Sequence, residues 1–241
     1  MPHLLKGIPA SPGIVVGPVH LLKWEVPEVP ATAIDAADVD REVERFRIAF
    51  ARAIERLRKI RDRASRTAGP AEAAIFDVQI TIIEDAELQR QVEEIIRQQF
   101  SAERAFDVVM LEWREHFGRS PHAMLRERVS DLMDVHIRVL TMLLDLPDHD
   151  PVDLPKGSNA IVVTGDLTPS LTLQLDREAI AAIATDAGTR TSHVAILARS
   201  LGLPAVVGLL DATDRLRTGE TVILDGTAGT LATRPSPAEI A

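Results

Sequence analysis

Over the first 25 residues, short apolar runs are broken by Gly and Pro. Ile14–Leu22 reads as a strand with an irregularity at Gly17-Pro18, and residues 7–13 read as a turn between short extended pieces. Residues 25–34, punctuated by Pro27 and Pro30, form a linker. From Asp35 the period changes. Val39, Val43, Phe46, Phe50, Ala53, Leu57 and Ile60 recur in alternating steps of four and three, which places them along one stripe of a long helix. Similar patterns predict helices over residues 71–83 and 86–99. A fourth helix is capped by Ser101 and closed by Gly118, with Phe106, Val109, Met110, Trp113 and Phe117 on one face. A fifth runs over 122–146, with Leu125, Val129, Leu132, Val139, Leu140 and Leu143 as its apolar side. Stripes of this kind pack against one another in a helical bundle.

Beyond Pro147 short strands return, over 160–163, 180–184 and 205–209, alternating with helices over 171–175 and 192–201. Residues 221–224 and 230–233 flank Asp225-Gly226-Thr227-Ala228-Gly229 and read as a hairpin. Strands alternating with helices predict an α/β layer packing. The expected organisation is therefore discontinuous. Residues 1–25 and 148–235 form one α/β domain, the helices of 35–146 are inserted into it, and 236–241 is a polar tail.

Composition narrows the chemistry. The 241 residues include no Cys, so disulfides, thiolate metal sites and cysteine nucleophiles are excluded. No apolar run approaches the ~20 residues that cross a bilayer, and the N-terminus has no signal-peptide pattern, so a cytoplasmic setting is expected. The formal net charge of −9 speaks against nucleic-acid binding. The charge is uneven: residues 35–66 carry 7 acidic and 10 basic side chains, and residues 67–150 carry 17 acidic and 8 basic. The later helices therefore offer either a solvated acidic face or a docking face for a basic partner.

One segment stands apart, Thr185-Asp186-Ala187-Gly188-Thr189-Arg190-Thr191-Ser192-His193. A strand runs into a turn at Gly188, and a helix opens near Ser192, so His193 falls in the first turn, where free N–H groups and the dipole favour a phosphate. Arg190 can clamp phosphate oxygens, and Thr191 and Ser192 add hydroxyls, although Ser192 also suits a plain N-cap. A neutral imidazole here is a good nucleophile toward phosphorus. A single histidine at a helix start is more often a cap or surface residue, and the other six histidines form no convincing metal site. Spacing alone leaves both readings open.

The run Gly188-Thr189-Arg190-Thr191-Ser192-His193, continuing through Ala198-Arg199-Ser200-Leu201-Gly202-Leu203-Pro204, resembles the phosphohistidine swivelling domain of phosphoenolpyruvate-utilising enzymes. Gly7 to Ile14, Arg41 to Phe46, Ala74-Ile75-Phe76, Glu84 to Leu88 and Asp166-Leu167-Thr168-Pro169-Ser170 are similar to the enzyme I family of the bacterial sugar phosphotransferase system. The resemblance spans nearly the whole chain. It implies a discontinuous α/β swivelling domain with an inserted all-α subdomain that binds the carrier protein HPr. It also implies that His193 accepts the phosphoryl group through Nε2, that Thr168 orients the ring through the other nitrogen, and that Arg190 neutralises the phosphate, with Gly188, Thr191 and Ser192 completing the anion site. Thr189 stands where the family usually has a second glycine, and Met133 where it commonly has arginine. The expected HPr contacts lie on the second and third helices and include Glu72, Ile82, Glu84 and Glu87. Family members bind phosphoenolpyruvate and Mg²⁺ in a C-terminal barrel, so this chain is expected to be the N-terminal half, with no cofactor of its own and no metal ligands, and with phosphoenolpyruvate reached only through that barrel. An enzyme I-like part of a multidomain phosphotransferase or dihydroxyacetone kinase subunit, or a docking protein that no longer turns over, remain alternatives.

Overall fold

The computed structural model describes residues 4–146, 154–190 and 192–240, with His193, Pro237 and Ile240 described by their backbone alone. The chain divides into two compact units, residues 25–148 and residues 1–24 with 149–241. Its elements in order are β1 (Leu4–Lys6), β2 (Ile8–Ser11), β3 (Ile14–Leu22), α1 (Val39–Thr67), α2 (Pro70–Ile83), α3 (Ala86–Ile96), α4 (Ala102–Gly118), α5 (Ala123–Glu127) and α6 (Val129–Leu143). Then follow β4 (Ala160–Thr164), α7 (Pro169–Thr172), β5 (Ile180–Thr185), α8 (His193–Leu201), β6 (Ala205–Val207), α9 (Ala212–Arg215), β7 (Thr221–Asp225), β8 (Thr230–Thr233) and α10 (Pro237–Ile240). None of these helices is long and apolar enough to cross a membrane.

The α/β unit is one eight-stranded sheet in the order β1-β8-β7-β3-β4-β5-β6-β2. The inner strands β3, β4, β5 and β6 run parallel, and antiparallel pairs complete both ends. Strands β1 and β2 are joined by Gly7 alone yet sit at opposite ends of that order, so the sheet curls back toward itself. Gly7 N donates to Gly229 O (2.9 Å), one step beyond the Lys6–Thr230 pair of β1 and β8. Strand β4 is buried at all five positions, as expected for a central parallel strand covered on both faces. Ile161 and Val163 join the core on one face with Val19, Val206, Val222 and Leu224. Val162 joins the other, where α8 packs through Val194, Ala195 and Ala198. These small side chains let α8 lie close to the sheet, which fixes where its first residue, His193, emerges.

The helical unit is built around Phe46, Phe76, Phe106, Leu57, Met110 and Leu140, all essentially without exposed surface. The proline-rich segment 25–34 belongs to this unit, where Ile34 N donates to Gln99 O and Ser101 N to Thr32 O. A polar seam runs through the packed helices. Gln79 Nε2 donates to Asp134 Oδ2 (3.0 Å), and His136 Nε2 meets Asp107 Oδ1 (3.1 Å). Buried Glu42 accepts from Ala102 N (2.9 Å) and from Arg45, which in turn donates to Leu143 O and pairs with Glu103.

The structure departs from the expected elements in several places, first at residues 8–11, which form strand β2 where the pattern predicts a turn, because they find β6 as a distant partner. The fifth helix is two, α5 and α6, broken at Arg128. Ser130 Oγ takes the Glu127 carbonyl (3.2 Å) and Arg128 N turns back to Leu125 O, so side chain and backbone compete for the helical ladder. The third helix stops at Ile96, because Gln99 takes a left-handed conformation (φ 69°) that turns the chain toward residues 32–34. Trp113 and Phe117 are half-buried instead of core, and Trp113 Nε1 donates to Gln91 Oε1 (2.8 Å).

Candidate functional site

Strands β4 and β5 end side by side, with Thr164 opposite Thr185. Each of these threonines turns the chain by donating to the carbonyl two residues on: Thr164 Oγ1 to Asp166 O (3.0 Å) and Thr185 Oγ1 to Ala187 O (2.7 Å). The two loops then continue the pairing, through Asp186 N to Thr164 O and Ala187 N to Gly165 O. On the other side Gly208 N donates to Ala187 O and Leu209 N to Thr185 O. The Asp186 carboxylate points away from the loop and caps α9, accepting from Ala212 N (2.6 Å), Thr213 N (3.1 Å) and Thr213 Oγ1 (2.5 Å).

Past this sewn segment the chain needs a glycine. Gly188 has φ +109°, and a Cβ there would stand 3.2 Å from Val207 Cβ and 3.3 Å from Ser192 Oγ. The left-handed turn is taken at Gly188 and not at Thr189, whose φ is not positive, so the departure from a second glycine is accommodated. Ser192 is the N-cap of α8: its N donates to Thr189 O, and its Oγ accepts from Ala195 N (3.4 Å). His193 is thus the first residue of a nine-residue helix at the carboxyl ends of the sheet's parallel strands, where open α/β sheets bind ligands. Its ring, and Thr191 altogether, lie outside the described residues. Arg190 is exposed in the loop before them.

Thr168 occupies the equivalent place after β4. It is extended (φ −70°, ψ 157°) and caps α7, with Oγ1 accepting from Leu171 N (3.3 Å) and lying 3.2 Å from the buried Ser170 Oγ. The structure therefore brings the Thr168 and His193 backbones to helix starts on adjacent strands. Gly188 and Ser192 lie in the same loop assembly. Among the described residues no group of three His, Asp or Glu side chains is placed to hold a metal ion.

The helical unit carries the second set of candidate residues. Glu72, Glu84 and Glu87 are exposed and Ile82 is half-buried. Two of these acids, Glu84 and Glu87, are paired within the chain. Glu84 pairs with Arg58 (3.0 Å), and Glu87 is held near pKa 2 by hydrogen bonds from Arg90 and then Gln91. Arg47 and Arg61 of α1 likewise meet Glu93 and Asp77. The excess of acids in 67–150 is thus partly neutralised by the basic excess of 35–66, which sequence order alone does not reveal. The sequence of α2 carries a further signal: apolar residues line two sides of it. Ala73, Phe76, Ile80 and Ile83 face the core, while Ala71, Ala74, Ile75, Val78 and Ile82 form a second, outward stripe. Gln91, Glu112, Trp113, His116 and Phe117 line a cleft of about 500 Å³ on the same unit.

With this geometry in hand, comparison with known proteins is specific. Residues 6–128 match the N-terminal family of PEP-utilising enzymes, and residues 156–229 match their mobile domain. The chain is 37% identical to the phosphoenolpyruvate-protein phosphotransferase of Enterococcus faecalis, over 99% of its own length and 41% of that protein. It is 38% identical to the protein of the same name from Bacillus subtilis, over 96% and 40%. The chain thus spans about two-fifths of the length of these relatives. Among solved structures, the solution structure of Enzyme I (nEIt) superposes with a TM-score of 0.83 at 34% identity, covering 98% of this chain and 95% of that one. The N-terminal domain of Enzyme 1 – Nitrogen superposes at 0.60 with 25% identity, over the same shares.

Proposed function

We infer the activity from a plain premise: this chain belongs to the family of PEP-utilising enzymes, and its relatives are phosphoenolpyruvate-protein phosphotransferases. We propose that it exchanges a phosphoryl group with the carrier HPr through His193, in a cytoplasmic sugar phosphotransferase system. In the step, the carrier's P–N bond breaks and its electron pair stays on the carrier nitrogen. The Nε2 lone pair of His193 makes the new P–N bond. The proton on Nδ1 stays on His193, and the carrier's second nitrogen keeps its own, so atoms and charge balance. Thr168 accepts the Nδ1 proton's hydrogen bond and thereby selects the tautomer with a free Nε2. The first-turn N–H groups of α8 and the Arg190 guanidinium hold the transferred oxygens. The helical unit provides the docking surface, with the outward stripe of α2, Glu72, Ile82, Glu84, Glu87 and the Trp113 cleft as contacts. The phosphoenolpyruvate and Mg²⁺ sites belong, in this reading, to the part of the relatives this chain does not span.

The single observation that carries the proposal is the helix start at His193, set beside the Thr168 cap by the pairing of β4 and β5. The test is to mix the chain with ³²P-labelled phospho-HPr, or separately with ³²P-phosphoenolpyruvate and Mg²⁺, and follow an acid-labile label. Label should arrive from phospho-HPr and not from phosphoenolpyruvate. His193→Gln should abolish it while leaving HPr binding in place. Label that survives in His193→Gln rules out this histidine.

A further inference from the structure

The loop that carries His193 is held in two halves by different means. Residues 185–187 are sewn by backbone hydrogen bonds to the end of β4 and to the loops after β4 and β6. Thr189 and Arg190 have left the sheet, and there a side chain takes over. Arg199, in the last turn of α8, spreads its guanidinium between two carbonyls. Nη1 donates to Ala10 O (2.9 Å) and to Arg190 O (3.3 Å), and Nη2 donates to Arg190 O (3.2 Å).

Both acceptors are placed for this by the backbone. Strand β2 pairs with β6 through Pro9 opposite Val206 and Ser11 opposite Ala205, with a register shift between them. Ala10 is the residue the shift leaves over, and it is 95% buried, so its carbonyl needs a donor from outside the ladder. The Arg199 fork supplies that donor from one side of the sheet edge, and with its remaining N–H groups it grips the peptide that leads into Thr191 and Ser192. A rigid strand and the last turn of the nucleophile's own helix thus fix the direction in which the loop enters that helix. A planar fork with several donors suits two carbonyls, and a lysine ammonium offers a single, less directional point.

We propose that Arg199 is a positioning residue for phosphoryl transfer: through the Arg190 carbonyl it sets the approach of the His193 helix start and its anion-binding N–H groups. This rests on the reading of His193 as the phosphoryl acceptor. Displacement of a reacting group by about 1 Å costs up to about 100-fold in rate, so loss of the fork should slow transfer without touching the carrier's docking residues.

The experiment compares wild type, Arg199→Lys and Arg199→Ala, using Bacillus subtilis HPr labelled with ³²P. Single-turnover transfer, HPr affinity, thermal midpoint and amide exchange at residues 189–195 are measured on each. Arg199→Ala should transfer between about 10- and 100-fold more slowly, with HPr affinity within about twofold of wild type and faster exchange confined to that loop. Arg199→Lys should recover part of the rate at an unchanged melting midpoint, which a purely structural role would not produce. If Arg199→Ala does not fold, the lysine variant alone decides: transfer at the wild-type rate refutes the role. Wild-type transfer by Arg199→Ala, or a loss that tracks its melting midpoint with no rescue by lysine, also overturns it. A wild-type chain that takes no label overturns the reading of His193, and the role of Arg199 falls with it.

Discussion

Adding one methyl group at Gly188 tests the loop geometry directly. At φ +109° the backbone lies where an L-residue is strained by about 1–3 kcal/mol. The new Cβ meets Val207 Cβ at 3.2 Å and Ser192 Oγ at 3.3 Å, so a neighbour must give way by a few tenths of an ångström. The softer of the two is the Ser192 hydroxyl, and moving it weakens the cap of α8, a further cost of about 1 kcal/mol. Gly188→Ala is therefore expected to destabilise the α/β unit by about 2–4 kcal/mol, the sum of those two effects. It should also slow transfer from phospho-HPr by at least about tenfold, because the loop relieves its strain by moving. The assay is urea unfolding followed by circular dichroism, with the two units treated as separate transitions, alongside single-turnover labelling. Gly202→Ala is the control. That residue also has a positive φ (+67°), but open space surrounds its missing Cβ, so it should cost roughly 1–2 kcal/mol and leave transfer unchanged. A Gly188→Ala chain with the wild-type midpoint and rate would refute the reasoning. Equal transfer losses in both variants would attribute the effect to general destabilisation.

Three further outcomes are expected. Thr168→Val should slow transfer with little change in HPr affinity and remove the α7 cap, whereas Thr168→Ser should restore both; equal losses of binding and transfer would make Thr168 a core residue only. Ile82→Asp should weaken HPr binding at least about tenfold, while rising salt weakens it only mildly, because Glu84 and Glu87 are already paired within the chain and exposed charges are screened over ~8 Å; titration calorimetry at two ionic strengths checks both. Burial pushes the His136 ring down to about 4 against the opposing pull of Asp107, below its ordinary 6.5. The helical unit should therefore be fully stabilised by the neutral ring above pH 6.5 and lose up to about 1.4 kcal/mol per pH unit as pH falls toward 4. Urea midpoints at pH 7 and pH 5 read this, and His136→Gln should flatten the dependence in that window.

Much of this molecule is written in short-range pattern. Ile14–Leu22 emerges as a strand with the bounds its composition suggests, and the stripe from Val39 to Ile60 turns inward along α1, because alternation and 3.6-residue periodicity are properties of neighbouring residues. Ser101 and Ser192 cap the helices they precede for the same reason, since a cap joins groups three residues apart. The His193 segment is legible as a strand, a glycine turn and a helix start, and the resemblance to a known family rests on that run together with segments spread over nearly the whole chain, from Gly7 to Ile14 through Asp166 to Ser170.

What sequence order does not contain is partner choice over distance. Nothing local sends β1 and β2, one residue apart, to opposite ends of a sheet; that follows from closing eight strands around shared cores. The break at Arg128 depends on which group wins the Glu127 carbonyl, and the outward face of α2 on which of its apolar sides the bundle covers first. The acidic helices lose part of their free charge to Arg47, Arg58 and Arg61, brought beside them from α1 by packing. Arg199 reaches a carbonyl 189 residues away, so its hold on the loop exists only once strand, loop and helix have met. Local propensities are additive along the chain, whereas the satisfaction of buried polar groups is decided in space, and so the tertiary fold alone determines it.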